Sequence, residues 1–308
     1  MEKNSLMELF GEEDQKTLIT NQSSQSNKIL IFDAHNLAYR TLFSAIFANP
    51  EDNEKFFFWK HMFMNSMFNS IMEFKPSKVI MAFDSRPSWR SAIYSDYKSN
   101  RKEARDKTVV DFDKFFPIFN QFIKDIKDIF STIYFMDVPR CEGDDIIAVL
   151  CKKIFKDQEV VIISSDSDMH QLLNKNIKQY DPMKKKFVEC INPQRELDIK
   201  LLTGDKTDNI PPVRKKVGIV TAEKILNTGL DTFLKESDEI KLNFIRNKTL
   251  IDFNYIPEDI SKNIINSYNE YQLSKMESKK ILDFFIQNKL MKLMQSWETY
   301  SDKIKGLQ

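Results

Sequence analysis

Residues 159–168 read Glu-Val-Val-Ile-Ile-Ser-Ser-Asp-Ser-Asp. An apolar, β-branched run without polar alternation is the pattern of a strand buried on both faces of a parallel sheet. The two carboxylates, Asp166 and Asp168, follow directly at its C-terminal end. Working outward, Lys28 to Phe32, Lys78 to Phe83 and Thr132 to Met136 repeat the pattern, and Asp33 and Asp84 close the first two of them. Between the strands, Phe56 to Phe74 is apolar almost all round, with Trp59, Phe63, Met67, Phe68 and Ile71, as expected of a buried helix. Alternating strands and helices give an α/β fold with a mainly parallel central sheet flanked by helices. From about Pro193 strands become hard to find. Ile225 to Leu234, Ile260 to Tyr271 and Ser278 to Leu293 instead carry helical periodicity, predicting a smaller, mainly helical part.

In an open parallel sheet, ligands bind outside the carboxyl ends of the strands. Asp33, Asp84, Asp166 and Asp168 should therefore meet at one crevice. Glu142, Asp144 and Asp145 open the helix expected near Gly143, after another strand, and Glu142 and Asp145 lie three apart on one helix face. A single aspartate at a strand end more often caps the next helix. So many together repel one another and raise one another's pKa values unless cations intervene. Oxygen ligands without histidine or cysteine suit Mg2+ or Mn2+ rather than zinc. Two such ions about 4 Å apart can activate water and stabilise the leaving oxygen in phosphodiester hydrolysis.

The formal net charge is only +1, but it is unevenly spread. Arg86 to Lys107 holds seven basic against three acidic residues, and Lys184 to Lys186 and Arg214 to Lys216 are basic clusters. Locally basic surface beside concentrated carboxylate is what a metal-dependent phosphodiesterase requires. No apolar run is long enough for a bilayer, and no leader pattern opens the chain, so a soluble intracellular protein is expected. Cys141, Cys151 and Cys190 lack the spacing of a zinc site or disulfide framework and read as reduced thiols. Residues 1–27 read as a flexible tail, except that Leu6, Met7, Leu9 and Phe10 form an apolar cluster ahead of Glu12 to Asp14. Such a cluster fits a peptide that docks on a partner.

Three blocks then bear comparison with a known family: Glu142-Gly143-Asp144-Asp145, Ser165-Asp166-Ser167-Asp168, and Gly204-Asp205-Lys206-Thr207-Asp208-Asn209-Ile210-Pro211. In order and spacing they resemble the acidic blocks of the 5′-nuclease family of 5′-3′ exonucleases and flap endonucleases, its phage members above all. The resemblance implies a PIN-like fold with a helical arch, an α/β nuclease domain over 28–192 with the arch at about 86–116, and a DNA-binding domain over 193–308. It implies two-metal hydrolysis, with RNase H activity, removing RNA primers and 5′ flaps in lagging-strand replication.

Carried over residue by residue, Asp33, Asp84, Glu142, Asp144 and Asp166 match the ligands of one Mg2+, and Asp168, Asp205 and Asp208 those of a second. Asp145 matches a supporting carboxylate. Asp96-Tyr97-Lys98-Ser99-Asn100-Arg101 resembles the basic motif at the foot of the arch. Lys98 and Arg101, three apart, would point the same way from a helix to offset charge on the scissile phosphate, with Tyr97 as a platform for an unpaired base. Arg86, Lys102 and Arg105 are assigned to backbone contacts, whereas Phe112, Phe115 and Phe116 read as packing. Val213 to Ala222 resembles the family's helix-hairpin-helix. It carries only Gly218 where several glycines are usual, so duplex binding falls to Arg214, Lys215 and Lys216, and a K+ site there is doubtful.

The implied partners are branched or nicked DNA and RNA–DNA duplexes with a 5′ end, a sliding clamp through Leu6 to Phe10, and a single-stranded-DNA-binding protein. The protein would act as a monomer in the cytoplasm of a phage-infected bacterium, away from membranes. Three other classes compete with this reading. A haloacid-dehalogenase-like phosphatase needs aspartates two apart after the first strand, where this chain has Asp33-Ala34-His35. A minimal PIN-type ribonuclease would end before the Gly204 to Pro211 block. A non-catalytic adapter would bind branched DNA without turnover; nothing in the acidic set looks eroded, and because an intact metal site is necessary but not sufficient for turnover, an activity assay separates the two.

Overall fold

The computed structural model describes residues 27–48 and 55–307. The apolar cluster at Leu6 to Phe10 lies outside the described residues. The chain runs β1 (Ile29–Asp33), α1 (Ala34–Ala48), α2 (Lys55–Phe74), β2 (Lys78–Phe83), α3 (Trp89–Ile93), α4 (Arg101–Asp106), α5 (Phe112–Ile129), β3 (Tyr134–Asp137) and α6 (Gly143–Val149). It continues through β4 (Val160–Ile163), a 3-10 turn at Ser167–Leu172, β5 (Ile177–Asp181), the short β6 (Lys186–Phe187) and α7 (Pro193–Thr203). Helices α8 (Ile219–Thr228), α9 (Leu230–Leu234), α10 (Asp238–Ile251), α11 (Glu258–Asn269), α12 (Ser278–Gln287), α13 (Met291–Gln295) and α14 (Trp297–Lys305) follow.

The strands form one six-stranded sheet in the order β3-β2-β1-β4-β5-β6, parallel except for β6. All five residues of β1 are buried, as its unbroken apolar run requires. Ile29 and Ile31 face one side of the sheet with α6 and α11, while Leu30 and Phe32 face the other with α1, α2 and α5. The chain order reverses between β1 and β4, and Asp33 stands at that switch point.

The four expected strands are present. β5 and β6 were not anticipated, because Lys178 and Gln179 interrupt the apolar pattern of β5. Gln179 is nonetheless buried, and its amide donates to the carbonyls of Ser164 at 2.9 Å and Asp166 at 2.8 Å. It thereby fixes the loop that carries the acidic pair. The expected helix over 225–234 is instead two, broken at Gly229, whose φ of 126° leaves the helical region. The helix expected over 278–293 likewise breaks after Gln287, near Lys289 in the left-handed region.

Residues 193–251 gather round a third core of Leu197, Leu201, Ile210, Val213, Ala222 and Phe244, which also takes in Tyr97. The chain then returns to the sheet. Phe253, Ile260 and Ile264 pack on one face, and Phe284, Phe285, Leu293 and Ile304 join the cluster on the other. The C-terminal helices therefore clasp the sheet on both sides and hold the α7–α10 unit at its carboxyl edge.

Gly204 ends α7 at φ 71°, where a Cβ would stand 2.3 Å from the carbonyl oxygen of Ile210. The loop it opens is closed by paired backbone bonds between Asp205 and Ile210, at 2.8 and 2.7 Å. Gly204→Ala should cost about 2–4 kcal/mol through left-handed strain and backbone overlap. Thermal denaturation should show a melting temperature lower by roughly 5–10 °C. An unchanged melting temperature would mean the loop relaxes without strain.

Candidate active site

Each strand delivers its carboxylate to the same edge. Asp33 ends β1 and accepts from the Asn36 amide and the Ser164 hydroxyl, both at 3.0 Å. Asp84, just after β2, accepts from the amide of Gly143 at 2.8 Å. A Cβ on Gly143 would lie 3.3 Å from that carboxylate and from the Ala82 carbonyl, a tight contact that a side chain could make only if its neighbours shifted by a few tenths of an ångström. Asp166 accepts from the amide of Asp168 at 2.9 Å, capping the 3-10 turn. Capping and site membership thus coincide at Asp33 and Asp166. Asp205 accepts from the amide of Thr207 at 2.7 Å and so shapes the loop that presents Asp208.

These groups line a cavity of about 330 Å3 with Asp33, Asp84, Asp144, Asp166, Asp168, Asp205 and Asp208 on its walls, together with Lys98, Arg101 and Lys200. Glu142 and Asp145 are not on those walls. Asp145 is fully buried beneath them, donated to by Arg90 at 2.9 and 2.8 Å and by the Trp89 indole at 3.0 Å. Glu142 receives Arg90 at 3.1 Å, the Tyr97 hydroxyl at 2.7 Å and the Lys98 ammonium. Here Glu142, assigned as a metal ligand, gives its carboxylate to neighbouring donors, and Asp145, assigned as a supporting carboxylate, holds Arg90 and the start of α6.

Tyr97 is corrected more sharply. Its ring is buried in the helical core and its hydroxyl reaches Glu142 and Asp208, so it offers no face to a base. The aromatic signal was real, but burial consumes it. Lys98 lies in a turn with φ 57°, not in a helix, so helical spacing does not align it with Arg101. Asp208 brings them together instead, at 3.6 Å from the Lys98 ammonium and 2.7 Å from the Arg101 guanidinium. Of the basic residues assigned to DNA, Arg86 and Lys102 are exposed, as are Arg214, Lys215, Lys216 and Gly218 at the turn before α8. Arg105 stacks over Phe112 and Phe116. In that turn the left-handed residue is Lys216, while Gly218 has an extended φ of -103°. Phe115 is buried, in line with its assignment to packing.

Three cations were missed by sequence reading. Lys200 of α7 contacts Asp168 and lies 2.7 Å from Asp205. Arg90 joins Glu142 and Asp145 to the carbonyl of Leu250 at 2.8 Å, tying the site to α10. Arg40 reaches Ser165 at 2.7 Å from α1. Lys200 and Arg90 could have been sought from charge balance, since buried carboxylates in such number demand partners.

Burial dominates the electrostatics, and neighbouring carboxylates add to it. Burial, reinforced by Asp166 and Asp84 against hydrogen bonds from Asn36 and Ser164, pushes the Asp33 carboxyl up to about 7. Burial likewise raises Asp144, despite the Lys98 charge nearby, and raises Asp168 despite Lys200. Asp208 moves the other way, because Lys98 and Arg101 outweigh its burial. Lys98 rises for the reciprocal reason: burial disfavours its charge, but Glu142 and Asp208 more than compensate. The residual repulsion lies at Asp33 and Asp144, where no cation of the chain forms an ion pair among the described residues.

A mainly parallel sheet bearing a crevice of seven aspartates flanked by lysine and arginine, with the Nδ1 of the one histidine on its wall, His35, already engaged by the Asp84 amide, defines a nuclease of the PIN-like, 5′-nuclease fold. Comparison with known proteins gives the family. Residues 28–224 match the model of the 5′-3′ exonuclease N-terminal resolvase-like domain, and residues 192–300 match that of the T4 RNase H C-terminal region. The chain is 33% identical to the ribonuclease H of Enterobacteria phage T4 over 263 residues, covering 77% of this chain and 85% of that protein. It is 30% identical to a 5′-3′ exonuclease of Aquifex aeolicus over 236 residues, covering 71% and 76%. Among solved structures, the T5 5′-exonuclease with bound zinc superposes with a TM-score of 0.61 at 19% identity, over 80% of this chain and all of that one. The chain belongs to the 5′-3′ exonuclease family, and it is a hydrolytic 5′ nuclease with the two-part architecture of phage ribonuclease H.

The raised Asp33 fixes a sign. The folded, metal-free chain keeps a proton there that the unfolded chain, at 3.8, has released, so this group's contribution to stability falls as pH rises from 3.8 through about 7. His35 and His61, both depressed by burial, contribute in the opposite sense below 6.5. The informative quantity is therefore the rise in melting temperature on adding Mg2+, measured at each pH. That rise should be larger at about pH 8 than at about pH 5, because cations must displace the retained protons at low pH. A metal increment independent of pH would contradict the assignment of Asp33 and Asp144 to the cation site.

Proposed function

We propose that this chain is a structure-selective 5′ nuclease, acting as a monomer in the infected bacterial cytoplasm. It removes RNA primers and short 5′ flaps during lagging-strand synthesis, using two Mg2+ ions for which Mn2+ can substitute. The observation that carries this reading is the cavity wall of seven aspartates, all oxygen donors, with residual repulsion where no ion pair offsets it. That donor set fits hard divalent cations. When bound, such ions supply charge neutralisation at the scissile phosphate and activation of water.

The chain's own residues divide the remaining work. Asp33, Asp84, Asp144 and Asp166 would hold one ion and Asp168, Asp205 and Asp208 the other, with Asp33 and Asp144 giving up protons as they do so. Glu142 and Asp145 act from behind by fixing Arg90, Tyr97 and Lys98. Arg101, one-third exposed and held by Asp208, can turn to the scissile phosphate, with Lys98 beside it. Arg86, Lys102 and Arg105 line the path of the 5′ strand, and Arg214, Lys215, Lys216 and Gly218 meet the duplex at the turn before α8. A K+ ion at that turn is not required, since lysine and arginine supply nonspecific affinity.

The platform for an unpaired base passes from Tyr97 to a neighbouring cavity of about 490 Å3. Tyr39, Phe43 and Phe112 line it with Arg86, Arg101 and Arg105, joining ring faces to phosphate-binding charge. Clamp docking through Leu6, Met7, Leu9 and Phe10, and contact with a single-stranded-DNA-binding protein, complete the proposal.

The test is cleavage of a 5′-labelled flap and of an RNA-primed nicked duplex under Mg2+. Wild type should release short 5′ products, Asp166→Asn should abolish release, and Arg101→Ala should slow it by about 10²–10³-fold while substrate binding persists. With a cognate clamp added, removal of residues 1–14 should abolish stimulation and leave unstimulated cleavage intact. Binding without cleavage in both Mg2+ and Mn2+ would instead make the chain an adapter for branched DNA.

A further inference from the structure

Behind the 3-10 turn that carries Asp168, three side chains of different chemistry converge from separate parts of the chain. His170 comes from the turn itself, Cys190 from the loop after β6, and Glu196 from the first turn of α7. Their ligand atoms all lie within 4.8 Å of one another, and His170 Nδ1 is 2.6 Å from Glu196 Oε2. A second cavity of about 140 Å3, lined by Asp168, His170, Gln171, Glu196 and Lys200 among others, opens beside them.

We infer that His170, Cys190 and Glu196 form a binding site for a borderline transition cation such as zinc, separate from the acidic crevice. The donor set decides the class. A thiolate and an imidazole disfavour Mg2+ and Ca2+, whereas one sulfur, one nitrogen and one carboxylate oxygen are all ordinary zinc ligands. Zinc–ligand bonds of about 2.0–2.3 Å in a tetrahedron place ligand atoms roughly 3.3–3.6 Å apart. The His170–Glu196 contact therefore has to open by under about 1 Å, which the half-exposed Glu196 permits. The sulfur binds as thiolate and its proton passes to solvent. Water takes the fourth position from the adjoining cavity, so the ion is exchangeable rather than sealed in.

The placement gives the ion a structural role. Four residues beyond Glu196 on α7, Lys200 already bridges Asp168 and Asp205 on the crevice side. An ion on His170, Cys190 and Glu196 clasps the same turn to the same helix from the far side. Cys141 and Cys151 are buried elsewhere, so Cys190 is the sulfur available to it. This inference stands apart from the nuclease reading, since it uses none of the crevice carboxylates.

The test is optical titration of the full chain with Co2+ under a phosphine reductant, with Mg2+ present in large excess to fill the oxygen sites. A thiolate-to-cobalt charge-transfer band should grow to one equivalent and be bleached by one equivalent of Zn2+. The band should vanish in Cys190→Ser and persist in Cys151→Ser. In His170→Ala it should require about tenfold or more Co2+. With Mg2+ in the same excess, Zn2+ should raise the melting temperature of wild type by more than that of Cys190→Ser, while the two melt alike without zinc. No band in wild type at one equivalent, or a band that survives in Cys190→Ser, overturns the inference.

Discussion

Parallel strands collect like charge. Because β1, β2 and β4 run in one direction, the residues that follow them share one edge of the sheet, and in this chain those residues are acidic. The architecture around that edge follows from the need to hold carboxylates near one another without the penalty of unpaired buried charge. Arg90 and Lys98 satisfy the acids at the start of α6, Arg101 and Lys98 satisfy Asp208, and Lys200 satisfies Asp168 and Asp205. Asp33 and Asp144 are left with their charge suppressed by burial.

The same contacts join the helical part to the sheet. Arg90 spans from the acids of α6 to the last turn of α10, and Tyr97 places its ring in the α7–α10 core while its hydroxyl touches Glu142. The Gly204 loop carries Asp205 and Asp208 into the crevice from the helical side. A duplex bound on the exposed basic turn before α8 would thus be read by a unit in direct contact with the catalytic edge.

Much of this was legible in the chain before folding. Unbroken apolar runs specified the central strands, and the acids at their ends specified the crevice, because both follow from local pattern and from the polarity of a parallel sheet. β5 escaped because its buried Gln179 is justified only by carbonyls in the neighbouring loop. Tyr97 was misjudged because an aromatic beside basic residues fits a stacking surface equally well in sequence, and only the third core distinguishes the cases. Lys200, Arg90 and Arg40 were missed because ion pairs to Asp168 and Asp145 and a hydrogen bond to Ser165, across 32 to 125 residues, leave no spacing signal. The segments that became α9, α11 and α12 read as helical, yet which core each joined depended on tertiary contacts.

The central claim is that the aspartates at the sheet edge form two divalent-cation sites whose remaining charge is balanced by resident lysine and arginine. Anomalous X-ray diffraction from crystals equilibrated with Mn2+ tests it directly. The account predicts one peak among Asp33, Asp84, Asp144 and Asp166 and a second beside Asp168, Asp205 and Asp208, with Glu142 still bound to Arg90. Peaks absent from the crevice, or one centred on Asp145 with Arg90 displaced, would contradict it.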